Sequence, residues 1–455
     1  MLIFICLRRN NMSEKQEKAG LRKELGLFHS VSIVSGIMIG SGIFYVSTYV
    51  LSRAGLSAGF SILAWVVAGF MSLMAALCYA ELGTSMPQAG GTYNYISKAY
   101  GPGIGFSMGI TDFFISQSGS ISALAVGFST YFSILVPLTE WQIKAMAIGI
   151  IIMLSLINMS GVKKGGNVQG IFMIAKLVPI AIIIVCGLMM GSMNNPMEIV
   201  PGEGLNPMSA FALSIVAALW AYDGWSSVYI VAEELKNPQK DLPKAVTIGV
   251  LGVTLVYVLF NFALLKILPI DQIVATEAPG TMAAEALFGK PGAVLVTIGA
   301  LIAIFGSCNG CILAYPREYY AMARDKRFFD VFAKVHPKTG TPVNAQIATM
   351  IVSSVLILFG TFEQLTALVA FCAWIYYTLG VSSVYVFRKR NPQMERPYKV
   401  WGYPVLPAVT ILLSLVVLVT TLWEDPMNSV IGVVIPIAGY ILYHAYFKKK
   451  EQAEN

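Results

Sequence analysis

Charge is scarce in this chain. Asp, Glu, Lys and Arg make up only 12% of its 455 residues, against about 25% in a soluble domain. With 56% hydrophobic residues and a mean hydropathy of +0.70, the chain cannot coat a water-facing surface and reads as a protein that crosses a membrane many times. Histidine is scarcer still. His29, His336 and His444 are scattered and suit neither metal ligation nor base catalysis. No Walker or H-E-x-x-H motif and no paired carboxylates with a histidine are present, so the sequence provides for no enzyme chemistry, no cofactor and no ATP-driven work. The six cysteines lie in apolar runs or beside the N-terminus. Cys308 and Cys311 form a C-x-x-C, but inside a span and without the second pair or histidines that zinc needs, so they read as packing residues. No linker or low-complexity segment divides the chain, which implies one integrated bundle. Met1 to Leu7 is too short for a signal-peptide core. Met12-Ser-Glu-Lys has the look of an ordinary start, so residues 1–11 read as an upstream extension.

What is abundant is apolar runs of membrane length. Twelve are expected, at 28–51, 58–82, 104–134, 143–160, 168–191, 208–231, 245–268, 291–322, 344–360, 364–387, 404–423 and 429–447. If the N-terminus is inside, only Arg53, Lys144, Lys266 and Lys290 of the 31 Lys and Arg face outside. Lys176 falls within a span, and all the others lie on the cytoplasmic side. That asymmetry puts both termini, 1–27 and 448–455, in the cytoplasm of a multi-pass protein of the plasma (inner) membrane. It also accounts for the +7 net charge with the lipid bilayer as partner and without nucleic acid.

Two spans are interrupted. The first carries Val34-Ser-Gly-Ile-Met-Ile-Gly-Ser-Gly-Ile-Phe44, and each Gly costs a helix about 1 kcal/mol against Ala. Backbone freed from helical pairing is tolerated in a membrane only where it packs in protein or lines a cavity. A break here can offer the amides of Ser41, Gly42 and Ile43 to a carboxylate, and the carbonyls of Met38, Ile39 and Gly40 to an ammonium. The competing reading is a small-xxx-small packing face along Gly36 and Gly40. The sixth span carries Leu219-Trp-Ala-Tyr-Asp-Gly-Trp-Ser-Ser227. Spans 1 and 6 start on opposite sides, so two breaks five spans apart match an inverted five-helix repeat. The halves would be 28–191 and 208–387, with 404–447 as two extra helices.

Four stretches carry a resemblance. They are Ile39-Gly-Ser-Gly-Ile-Phe44; Pro87-Gln-Ala-Gly-Gly-Thr-Tyr-Asn-Tyr95 with Tyr100-Gly101; Ala232-Glu-Glu-Leu-Lys-Asn-Pro238; and Asn309-Gly-Cys through Pro316-Arg-Glu-Tyr-Tyr-Ala-Met-Ala-Arg-Asp325. In this order and spacing the chain resembles a transporter of the amino acid–polyamine–organocation superfamily, nearest its L-type exchanger branch. The resemblance implies an all-α membrane protein of the LeuT-type fold. Its twelve transmembrane helices would hold a 5+5 inverted repeat with helices 1 and 6 broken, and alternating access around a midplane amino acid site.

Lys176 is the most informative charge. It lies about 12 Å into its span, and such residues usually face the bundle interior; a snorkelling lysine is the bland alternative. In sodium-coupled relatives an ion bridges the broken first helix and span 8. By resemblance the L-type branch has a lysine here and runs without sodium, so the ammonium is expected on carbonyls near Gly36–Met38 or on Ser307. Trp220 stands where the family's aromatic gate closes, in place of the common Phe, and beside Ala221 it argues for a small pocket. Asp223 can cap the second half-helix, orient the substrate ammonium, or titrate. Asp112 reads equally as a hydrated vestibule group or a functional acid. Tyr257 and Asn309 are polar groups able to reach the site. Glu233 and Glu234 can pair with the Arg317–Arg327 cluster as an inner gate, or each can be a solvated face.

The resulting expectation is sodium-independent exchange of small neutral L-amino acids. A proton-coupled symporter titrating Asp112 or Asp223, and a non-transporting amino acid sensor, are the alternatives; a membrane-embedded enzyme is disfavoured. Eukaryotic L-type members hold a partner through a cysteine between spans 3 and 4. The corresponding loop, Leu135 to Gln142, has none, so no disulfide-linked subunit is expected.

Overall fold

Where hydrogen bonds leave the helices and where caps stop them defines the elements of the computed structural model, which describes residues 21–200, 206–359, 362–424 and 426–447. The expected extension 1–11, most of the N-terminal tail and the tail 448–455 lie outside the described residues. In chain order the helices are α1 (Leu27–Met38), α2 (Ser41–Arg53), α3 (Ala58–Ser85) and α4 (Thr92–Tyr100), then α5 (Pro102–Leu135). α6 (Glu140–Met159), α7 (Val162–Met190), α8 (Pro207–Ala221), α9 (Ser227–Ile230), α10 (Pro238–Ile267) and α11 (Ile270–Val274) follow. The last are α12 (Pro279–Ala314), α13 (Pro316–Arg324), α14 (Val343–Phe359), α15 (Phe362–Arg390), α16 (Val405–Glu424) and α17 (Pro426–Leu442). Among the described residues there is no strand, only an isolated bridge between Leu25 and Leu235.

Local chemistry sets these boundaries. The Ser57 hydroxyl accepts from the Phe60 amide to start α3, and Thr139 and Gln142 form a capping box on α6. Pro opens α5, α8, α10 and α12, where its missing N–H costs nothing. Eight helices among the described residues are long and apolar enough to cross a membrane, or nine with α1 and α2 taken as one span bent by 45°. α8, α14 and α17 are apolar but shorter, at 10–17 residues, so helix length does not by itself give the expected twelve. The expected run 208–231 is short because it divides into α8 and the four-residue α9. The expected loop 232–244 is already helical from Pro238.

α7 separates a lipid-facing stripe from a buried one. Ile171, Ile174, Val178 and Val185 are exposed, while Lys176, Ile180, Ile183 and Gly187 are buried one helical face away. The stripe that would be costly in water is at home against acyl chains.

The helix pairings come in matched sets. α7 packs on α12 as α15 packs on α5; α6 meets α12 as α14 meets α5; α10 lies on α1 as α3 lies on α8. Exchanging each helix for the one five spans away reproduces these contacts, the pairing pattern of a five-span inverted repeat. α2 also packs on α8, so the two broken helices meet at the centre.

Candidate functional site

The first break comprises Ile39 and Gly40, between α1 and α2. The Gly40 amide turns back to the Met38 carbonyl at 2.9 Å, leaving carbonyls that the helix no longer pairs. Lys176 Nζ donates to the Gly36 carbonyl at 2.7 Å, to the Ile39 carbonyl at 2.5 Å and to Ser307 Oγ at 3.3 Å. The Ser307 hydroxyl lies 2.8 and 3.0 Å from the same two carbonyls. Lys176 is fully buried, so it does not snorkel. The expectation of carbonyls near Gly36–Met38 is met at Gly36 and shifted to Ile39, because the Met38 carbonyl is already taken. Its partner is Tyr257, whose hydroxyl lies 2.5 Å from Met38 O and 2.9 Å from Ala221 O. One phenol from α10 therefore serves the frayed ends of both broken helices.

The second break runs from Tyr222 to Ser226 and turns through Gly224 at φ +112°, a conformation that favours glycine. Asp223 does not cap the following half-helix. That helix begins four residues later, at Ser227, and has no side-chain cap. The Asp223 carboxylate instead accepts from the Tyr377 hydroxyl at 2.8 Å.

A cavity of about 30 Å³ lies between the breaks, lined among others by Met38, Gly40, Gly42, Trp220, Ala221 and Asp223. That is room for a water and too little for an amino acid. Ile39 and Ile43 are buried in the core and are not among its lining residues; Ile39 contributes its carbonyl to Lys176 instead. The Ser41 side chain lies outside the described residues. The first turn of α2 carries amides without intrahelical acceptors, and the C-terminal ends of α1 and α8 meet it there. A zwitterion between these ends would meet partial charges of matching sign.

Asn309 does not reach this cavity. Its amide donates to Gln169 Oε1 at 3.0 Å and its oxygen accepts from Asn158 at 2.9 Å, which ties α12 to α6 and α7. Asp112 lines a second cavity of about 30 Å³ with Glu318, Gln117, Ser120, Asp223 and Tyr377. Ser120, Asp223 and Tyr315 are common to both cavities. Sequence reading missed Gln117, Tyr377 and the inward turn of Glu318; Glu318 stood inside the Pro316-Arg-Glu-Tyr-Tyr stretch, whose charges read as an inner gate or a solvated face.

On the side of the N-terminal segment the bundle is sealed. Arg317 Nε meets Glu234 Oε2 at 3.0 Å, with both side chains fully buried, and Arg317 also donates to the Leu313 carbonyl. Burial pushes the Glu234 carboxyl up, opposed by the Arg317 guanidinium. Arg324 pairs with Glu233 at 2.8 Å. The Leu25 amide donates to Glu234 O at 3.0 Å, and Lys236 N donates to Leu25 O at 2.8 Å.

The amino acid permease family model matches residues 25–446. The serine/threonine exchanger SteT of Bacillus subtilis (strain 168) is 36% identical over 437 residues, covering 95% of this chain and 99% of the relative. The b(0,+)-type amino acid transporter 1 of Homo sapiens is 30% identical, covering 96% and 90%. The human large neutral amino acids transporter small subunit 2 is 31% identical, covering 93% and 80%.

Proposed function

This chain belongs to the amino acid permease family, and from that premise we propose that it is a sodium-independent exchanger of small neutral L-amino acids. It works by alternating access in the plasma membrane, with both termini in the cytoplasm. The observation that carries the reading is the Lys176 ammonium, bound to the Gly36 and Ile39 carbonyls and to Ser307 Oγ. Those oxygens belong to the first broken helix and α12, and a fixed cation among them leaves no task for a sodium ion. Trp220 on the cavity wall and the name of the 36%-identical serine/threonine exchanger both support small substrates. The loop from Leu135 to Gln142 has no cysteine, and the reading requires no disulfide-linked partner.

Uptake of radiolabelled serine or alanine into proteoliposomes, loaded or empty, tests this. Uptake should require internal amino acid and be unaffected by replacing sodium. Equal uptake into empty vesicles, or a sodium requirement, overturns it. Three acids along the cavities, Asp112, Glu318 and Asp223, favour a second reading, proton symport; it requires uptake into empty vesicles driven by an inward proton gradient.

A further inference from the structure

Asp112 and Glu318 take no part in the exchange just described, yet their arrangement is unusual. Asp112 opens a π-helical turn, Asp112–Ser116, within α5; such turns recur at functional sites. Glu318 sits in the first turn of α13. Both are buried, at 6% and 0% exposure. Gln117 Nε2 donates to Asp112 Oδ2 at 3.3 Å and to Glu318 Oε2 at 2.8 Å, while its Oε1 accepts from the Tyr319 hydroxyl at 2.8 Å. One amide nitrogen thus reaches both carboxyl groups, which face the same cavity, and Glu318 Oε1 is buried with no donor.

Among the described residues no Lys, Arg or His lies within ion-pairing distance of either acid, and Arg317 is turned to Glu234 and the Leu313 carbonyl. The titratable groups facing the pair are Asp223 across the cavity, Tyr315 between α12 and α13, Tyr319 from α13, Tyr376, Tyr377 and Cys372 from α15, and Tyr79 from α3. Each is a neutral phenol or thiol, or a further acid. Two carboxylates bridged by one amide within a low-dielectric interior cannot both stay ionised.

We propose that Asp112 and Glu318 form a proton-binding site, one proton shared between two carboxyl groups beside the substrate cavity. The protonated carboxyl donates its O–H to the other. The cavity lined by the pair also touches Thr92 and Ile230, next to the sealed face that carries Glu233 and Arg324. When α5 and α13 part on that side, water enters and takes the proton. Both acids then ionise, and their repulsion opposes reclosure until the proton returns. It leaves to and returns from water on the same side, so no net proton crosses with an exchanged amino acid.

The transport arm of the test rests on the exchange reading; the spectroscopic arm does not. Infrared difference spectra of purified wild type at neutral pH should show a protonated-carboxyl C=O band that shifts in D₂O. The band should move in Glu318→Gln and vanish in the Asp112→Asn/Glu318→Gln double variant. A wild-type spectrum identical to that of the double variant overturns the site. In proteoliposomes with equal pH on both sides, wild-type exchange should fall by up to about tenfold per pH unit once the proton is lost, while the double variant stays level. A wild-type pH profile retained in the double variant overturns the site's role. Should the double variant not fold, Glu318→Gln carries both measurements. A proton entering with each amino acid, read by an internal pH dye, overturns the same-side assignment.

Discussion

A Cβ on Gly42 would stand 2.8 Å from the Cβ of Ala221, so the two broken helices touch where neither tolerates another atom. Gly42 is therefore needed for close approach as well as for the break. Gly42→Ala is expected to push α2 off α8 at a cost of about 1–3 kcal/mol, the usual range for overpacking, and to slow exchange. The added Cβ would also stand 2.9 Å from Ala221 Cα, so Ala221→Gly removes the opposing methyl but not the backbone contact and should recover only part of the loss in the double variant. Exchange rates of the four proteins decide this; full recovery would mean that the Ala221 methyl alone sets the limit.

Tyr257→Phe deletes one hydroxyl, whose single proton serves the Met38 or the Ala221 carbonyl; Met38 O keeps the Gly40 amide, so Ala221 O is the group that loses a donor. A buried polar group left unpaired costs about 1–3 kcal/mol. The variant should insert normally, melt at lower temperature in detergent and exchange more slowly. A wild-type melting point and rate would show that water replaces the phenol.

The architecture was legible in the sequence because bilayers leave few solutions. Apolar run length marks where the long helices lie. Glycines at mid-depth mark the breaks. Lys176 was legible for the same reason, since an isolated charge deep in a span needs an internal partner. The Asp112–Gln117–Glu318 network was not. Its members lie 201 residues apart at the Gln117–Glu318 contact, and Glu318 stands beside Arg317 in a charged stretch that looks solvated. The inward turn of Glu318 follows from packing of α13, in which Pro316 to Ala323 are all buried, so its polar side chains do not mark a solvated face. Asn309 failed in the opposite direction: a polar residue in span 8 can face the cavity or the scaffold, and only neighbours such as Asn158 and Gln169 distinguish them.

Trp220 is half-buried on the wall of the central cavity. Trp220→Phe and, more strongly, Trp220→Ala should extend the substrate range toward Leu, Met or Phe. Each added buried CH₂ contributes about 0.8 kcal/mol once space exists. Competition by a panel of amino acids against labelled serine reads this directly; an unchanged panel with transport intact removes Trp220 from the pocket.

Glu234→Gln leaves the Arg317 guanidinium buried opposite a neutral amide. Removing one partner of a buried pair costs about 3–5 kcal/mol, and the loss falls on the seal next to Leu25 and Lys236. The N-terminal side should open more often, so a cysteine placed at the buried position Ala232 should react faster with a thiol reagent than in the Glu234 parent. Equal labelling rates would separate this pair from closure.

Lys176→Ala removes the tie between the first broken helix and the α7–α12 scaffold. The Ser307 hydroxyl has one proton and can satisfy only one of the Gly36 and Ile39 carbonyls, so the other is left unpaired, at roughly 1–3 kcal/mol. The break then loses its fixed geometry, and α1 should sample the open arrangement more. Exchange is expected to fall by more than about tenfold, which corresponds to about 1.4 kcal/mol, with the protein still monodisperse in detergent. Lys176→Arg should not rescue, because a planar guanidinium cannot converge on two carbonyls and a hydroxyl as a compact ammonium does. Added sodium is the discriminating condition. If the ammonium stands in a cation's place, high sodium should restore part of the Lys176→Ala rate and leave wild type unaffected. A well-folded Lys176→Ala protein exchanging at the wild-type rate would show that the lysine only fills space.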